Sequence, residues 1–301
     1  MVLSKKQKLL ISLAGILLVA LLLVFSIKGK NSFKNRLLDA YDKTTSAISI
    51  ESQHDWLRFS DFVHGYDQSK PTKLGWVTDI HADRFKRRTV ESGTLFPKSY
   101  SEYLPKVFDE LRFQGINTVL ATGDNVNSGD EGYGEELAKI AYRKNMQVLW
   151  VKGNHDSDAS MRKLGLTGDN FYYAKDFGQT RVVVLDDSVQ AYEAKSMDAE
   201  QFAWLKDTLV TDKKVVVAMH VPIFPVTQEA VVLSQDTELE KILHDSGKVS
   251  LVLSGHFHVK WNKQFDGLNF FGESALTREN ELGGYGIIDL NKMSVQYLYT
   301  K

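Results

Sequence analysis

Along the chain, apolar positions fall into three regimes. From Leu9 to Ile27 they form an almost unbroken run, interrupted only by the small residues Ser12, Gly15 and Ser26. From Asn31 to about Lys70 they thin into helix-like spacing, with Leu37, Leu38, Tyr41, Trp56, Phe59, Phe62 and Val63 as the apolar positions. Beyond Ser69-Lys70-Pro71 short β-rich runs alternate with amphipathic stretches. Leu74–Thr78, Thr118–Thr122, Val148–Lys152, Arg181–Leu185, Val215–Met219 and Val249–Ser254 are the expected strands. Tyr103, Leu104, Val107, Phe108 and Leu111 predict one helix and Phe202, Leu205 and Leu209 another. Leu137, Ile140 and Ala141, and Leu239, Ile242 and Leu243, mark two shorter ones. Toward the end, Leu268–Phe271, Gly284–Asp289 and Ser294–Tyr299 read as sheet without intervening helices. The alternation predicts a layered α/β domain over residues 71–301, preceded by a membrane-proximal helical segment over 28–70.

At about 1.5 Å per residue, a helix over residues 9–27 spans about 28 Å, close to the hydrocarbon thickness of a bilayer. We read it as a single-pass transmembrane anchor behind a short tail, residues 1–8. The competing reading is a signal peptide, since Lys5, Lys6 and Lys8 form a positive start. Lys28, Lys30, Lys34 and Arg36 nearly balance those lysines, so the positive-inside count decides little; an extracytoplasmic domain is the expectation taken forward.

Composition narrows the chemistry. With 43% hydrophobic and 25% charged residues the 301-residue chain is ordinary globular material, and a formal net charge of -1 gives no case for a nucleic-acid partner. No protein partner is legible either. Cysteine is absent, which excludes disulfides, thiolate metal sites and cysteine nucleophiles.

The metal-capable residues cluster at the ends of the expected strands. One strand ends in Thr78-Asp79-Ile80-His81, the next in Thr122-Gly123-Asp124-Asn125, and the third in Lys152-Gly153-Asn154-His155-Asp156. Another ends at His220, and the last in Ser254-Gly255-His256-Phe257-His258. In open α/β sheets, ligands bind outside the carboxyl ends of strands, so these groups are expected to share one crevice. Five of the eight histidines lie in them; His54, His64 and His244 do not, and are read as ordinary packed or surface residues.

In this order, D-x-H, G-D, G-N-H-D, H and G-H-x-H, the sequence resembles the calcineurin-like metallophosphoesterase superfamily from about Lys73 to the C-terminus. The resemblance implies a four-layer α/β/β/α sandwich of two mixed sheets, joined here to one N-terminal transmembrane helix. It implies two divalent metal ions, one on Asp79, His81, Asp124 and His258, the other on Asp124, Asn154, His220 and His256, with Asp124 as the bridge. Mixed imidazole and carboxylate ligands suit Mn²⁺, Fe or Zn²⁺. The activity implied is hydrolysis of a phosphate ester by a hydroxide shared between the metals, with a phosphodiester as the preferred substrate. Phosphomonoester hydrolysis, and a non-catalytic membrane-tethered scaffold, remain the alternatives. His155 is expected over the substrate as general acid, with Asp156 orienting it and raising its pKa.

Softer features carry two readings each. Arg84, Lys86, Arg87 and Arg88 follow the first motif within a long segment, Ala82 to Lys98. They would clamp a distal phosphate or touch anionic lipid; a solvated loop is the plainer reading. Asp83 is read as a turn residue rather than a support for the site, and Asp186 and Asp187 as turn or rim residues. Phe257 and Trp261 are placed to stack on a substrate ring, though core packing is the simpler expectation.

Overall fold

The computed structural model describes residues 71–83, 88–89, 95–96, 100–127, 131–188, 197–223, 237–276 and 284–299. The anchor expected over 9–27, the helical segment over 28–70, His54, His64 and most of the basic cluster lie outside them. Among the described residues no helix is long and apolar enough to cross a membrane.

In chain order the elements are β1 (Lys73–Val77), β2 (Arg88–Thr89), β3 (Leu95–Phe96), α1 (Tyr100–Phe113), β4 (Thr118–Ala121), α2 (Glu131–Arg143), β5 (Gln147–Trp150), α3 (Asp158–Lys163), β6 (Tyr173–Phe177) and β7 (Thr180–Val184). There follow α4 (Ala199–Thr208), β8 (Lys214–Ala218), α5 (Thr237–Asp245), β9 (Val249–Ser254), β10 (Trp261–Phe265), β11 (Leu268–Gly272), β12 (Gly284–Asp289) and β13 (Ser294–Tyr299). One mixed sheet has the order β13-β12-β1-β4-β5, the other β10-β11-β9-β8-β7-β6, and β2 pairs with β3 in a small hairpin.

Burial on both faces explains the β-branched strands. Leu74, Trp76, Leu120 and Leu149 of the first sheet meet Val182, Val184, Val216, Leu251 and Leu253 of the second in one apolar cluster, which is the seam between the sheets. The opposite faces take the helices. Val77, Val119 and Ile287 pack with the Leu104–Val107–Phe108–Leu111 stripe of α1 and with Leu137 of α2. Val183, Val215, Val217 and Val252 pack with Phe202 and Leu205 of α4 and Leu239 and Leu243 of α5. The result is two mixed sheets face to face between helical layers.

Local chemistry fixes the short elements that periodicity leaves out. Ser157 caps α3 in a reciprocal pair with Ser160, and Asp198 caps α4 by accepting the Gln201 N–H. β6 and β10 are largely exposed and pair antiparallel to β7 and β11 at the sheet's edges.

At the end of β11 the chain leaves the second sheet and reaches the first, where the Leu276 N–H donates to the Thr78 carbonyl at 3.1 Å. Glu273 is fully buried at this crossing. Its Oε1 accepts from the Ser274 N–H at 2.8 Å and the Ser274 hydroxyl at 3.1 Å, with the Lys260 ammonium 3.5 Å away. Burial pushes this carboxyl up to about 7 against the pull of Lys260.

Candidate metal centre

Every residue of the site stands just beyond a parallel strand, because β1, β4, β5, β7, β8 and β9 all end at one rim. The loops there are tied to one another by backbone hydrogen bonds. Asp79 N–H donates to Gly123 O at 3.0 Å, His81 N–H to Asp124 O at 2.9 Å, and Gly255 N–H to His220 O at 3.0 Å. Asp79, His81, Asp124, His256 and His258 all take positive φ, from 47° to 72°. A left-handed backbone costs a non-glycine residue about 1–3 kcal/mol, so the fold spends packing energy to aim these five side chains. Gly153 shows how closely the loops approach: a Cβ there would collide with the backbone and carboxylate of Asp124.

The seven expected ligand residues meet. Asp79, His81, Asp124 and His258 offer ligand atoms that all lie within 4.8 Å of one another. The Nε2 atoms of His81 and His258 approach to 3.1 Å, and His258 Nε2 lies 3.2 Å from Asp79 Oδ1. Beside this group, Asn154 Oδ1 is 3.1 Å from both His220 Nε2 and His256 Nδ1. Asp124 stands between the two sets, with Oδ2 3.6 Å from His81 Nε2 and Oδ1 3.3 Å from His220 Nε2. Carboxylate, imidazole and amide donors converging from five loops fit a pair of divalent cations.

The surroundings fix which imidazole nitrogen faces inward. His220 Nδ1 donates to Thr122 O at 2.8 Å and His81 Nδ1 to Asn127 Oδ1 at 3.1 Å, which turns both Nε2 atoms toward the ligand groups. Thr78 donates its hydroxyl to Asp79 Oδ2 at 2.7 Å.

Electrostatics follow from burial. Burial alone would raise the carboxyls of Asp79 and Asp124, but His258 and His220 around the first, and chiefly His220 around the second, hold both below the usual carboxylate range. Burial pulls His81 and His256 down to about 4, so they stay neutral. His220 rises to about 10: burial opposes its charge, and Asp124, Asp79 and Asp187 overcome it.

His155 sits at the mouth, its Nε2 3.9 Å from Asp124 Oδ2. Its orienting partner differs from the expectation. His155 Nδ1 donates to the Asn127 carbonyl at 2.7 Å, whereas Asp156 turns inward. The Asp156 carboxylate accepts from the backbone N–H groups of Asn125, Val126 and Gly153 and from the Asn125 amide, and burial lifts its pKa to about 6. Four donors saturate the carboxylate, so it braces the loops carrying Asp124 and Asn154 instead of the imidazole.

Two more expectations are corrected. Asp187 is fully buried, accepting the N–H groups of His220 at 3.0 Å and Val221 at 2.7 Å, so it anchors the loop after β8 and is no rim residue. Asp83 accepts from the Asn127 amide at 2.9 Å, which completes a chain from Asp83 through Asn127 to His81. Asn127 went unread because a lone asparagine three residues after Asp124 carries no sequence signal of its own. Trp261 packs on the outer apolar cluster of the second sheet.

A family model described as calcineurin-like phosphoesterase matches residues 72–260. The chain is 28% identical over 194 residues to a cAMP/cGMP dual specificity phosphodiesterase of Mycobacterium tuberculosis, covering 60% of this chain and 61% of that one. It is 28% identical over 222 residues to a 3′,5′-cyclic adenosine monophosphate phosphodiesterase of Haemophilus influenzae, covering 70% and 78%. The chain thus spans about three-fifths of the mycobacterial relative's length. Among solved structures, a dimetal phosphatase of Danio rerio superposes with a TM-score of 0.59 at 12% identity, over 78% of this chain and 100% of that one, a likeness of fold.

Proposed function

The chain belongs to the calcineurin-like phosphoesterase family, and on that premise we propose that it hydrolyses phosphodiesters, with 3′,5′-cyclic nucleotides as the substrate class. The observation that carries this is the placing of Asp124, whose two oxygens face separate ligand groups, so that one carboxylate would serve two cations. The substrate class is supported by the names of the mycobacterial and Haemophilus relatives.

Asp79, His81, Asp124 and His258 would hold the first ion, and Asp124, Asn154, His220 and His256 the second, with Mn²⁺, Fe or Zn²⁺ as suitable metals. When bound, such a pair supplies charge for the phosphoryl oxygens and lowers the pKa of water. The chain's own work is orientation and proton transfer. The Asn127 carbonyl fixes His155 with Nδ1 protonated, leaving Nε2 at the mouth to carry the proton that the leaving alkoxide takes. Asp187 and the Asp156 carboxylate hold the loops still while this occurs.

The test is hydrolysis by chelated and metal-reloaded protein of cyclic AMP, bis(4-nitrophenyl) phosphate and 4-nitrophenyl phosphate. Diester turnover that vanishes with chelator and returns with Mn²⁺ is expected. Faster turnover of the monoester would move the assignment to a phosphomonoesterase, and no turnover of any ester would leave the scaffold reading.

The domain over 71–301 is proposed to hang from a membrane anchor at 9–27 through the segment 28–70, facing the extracytoplasmic side. The apolar run of the sequence supports this. Alkaline carbonate should leave the full chain in the membrane fraction; release of a shortened form would mark a cleaved signal peptide.

A further inference from the structure

Phe257 stands between His256 and His258, and both flanking residues take positive φ, 72° and 56°. Its N–H donates to Gly255 O at 2.9 Å, closing a tight turn at the rim. The side chain is half-buried, and its ring lies 5.0 Å from the His256 imidazole at 59°. Among the described residues it joins none of the three apolar clusters, whereas Trp261, four residues on, packs on the outer face of the second sheet. Among the described residues, a phenyl ring therefore sits at a rim built of carboxylates and imidazoles without contributing to the core. Such a ring gains most from a ligand with an apolar, planar face.

We infer that Phe257 is the stacking surface for the nucleobase of the substrate, placed by its position between two metal-binding histidines. This rests on the proposed phosphodiesterase reading. Every base presents a π-face, so stacking of this kind contributes affinity without selecting strongly among bases. Bound cations would grip the phosphate and this ring the base, and the two grips are separable.

Binding to the metal-loaded full chain, measured by calorimetry, separates them. The ligands are AMP, phenyl phosphate and inorganic phosphate; the proteins are the wild type, Phe257→Ala, Phe257→Leu and Phe257→Trp. Both Phe257→Ala and Phe257→Leu should weaken AMP by about five- to tenfold, the lower end of what stacking contributes. Phosphate affinity and metal content should stay within about twofold, and Phe257→Trp should retain AMP. Unchanged AMP binding, or an equal loss for phosphate, would overturn the inference, since the ring would then act only through its histidine neighbours. An equal loss for phenyl phosphate would assign the surface to aryl groups in general and overturn the nucleobase. Leucine keeps the apolar volume at this position, so a folding defect in the alanine variant leaves the experiment decisive. Because the readout is binding, failure to hydrolyse diesters would count against the catalytic reading alone.

Discussion

Carboxylates are buried in two quite different ways in this molecule. At the strand-end rim, Asp79 and Asp124 lie among imidazoles that hold both groups ionised in spite of burial. At the crossing between the sheets, Glu273 lies with Ser274 and one lysine, and burial wins, pushing its pKa to about 7. The carboxyls that meet the imidazoles, Asp79 and Asp124, are thus held ionised, whereas Glu273, like Asp156 behind the rim, is pushed up by burial toward neutral pH. The rim is built on left-handed backbones, while Glu273 takes an ordinary conformation. Strain and dense charge mark the region arranged for chemistry; a single tolerated acid marks the region arranged for architecture.

The sharpest way to break this contrast is to neutralise one acid in each region. Asp124→Asn should lower diester turnover by about 10³-fold or more, because it removes the charge that the proposed pair of cations would share. Glu273→Gln should leave turnover within about threefold of wild type. Steady-state kinetics on both variants decides, and similar losses would erase the distinction. Next in size is His155→Asn, expected to slow cyclic AMP hydrolysis by about 10²-fold and hydrolysis of bis(4-nitrophenyl) phosphate far less, since nitrophenolate leaves without a proton. Equal losses on the two substrates would remove His155 from acid catalysis.

A smaller effect is expected from Asn127→Ala, which frees the His81 ring from its Oδ1 partner. Chelator-competition titration should show about tenfold weaker metal binding, the scale found when a ligand's hydrogen-bond partner is lost. Last comes a stability effect at the crossing. The Glu273 carboxyl ionises near 4.5 when unfolded and at about 7 when folded, so between these values the folded chain holds the extra proton. Stability from this group is complete below the lower value and is lost as pH rises through the upper one, by up to about 1.4 kcal/mol per unit. Denaturant unfolding of Glu273→Gln across this window should give a flatter pH profile than wild type.

The long buried strands and the four larger helices were legible in the sequence because period and burial agree in them. The seven rim residues were legible because each follows such a strand. What escaped depended on partners distant in sequence. β6 and β10 alternate too weakly to show without β7 and β11 beside them, and α3 is shorter than two turns. Asp156 and Asp187 looked like an orienting acid and a rim residue because nothing local says that three of the four donors to the first and both donors to the second wait across the fold. Asn127 was invisible for the same reason, its amide linking Asp83 to His81 across 44 and 46 residues.

The left-handed turns at Asp79, His81, Asp124, His256 and His258 belong to the backbone of the fold itself, among loops tied to one another by main-chain hydrogen bonds. Substituting a β-branched residue at any of the five would consequently be felt during folding, before a metal had been met.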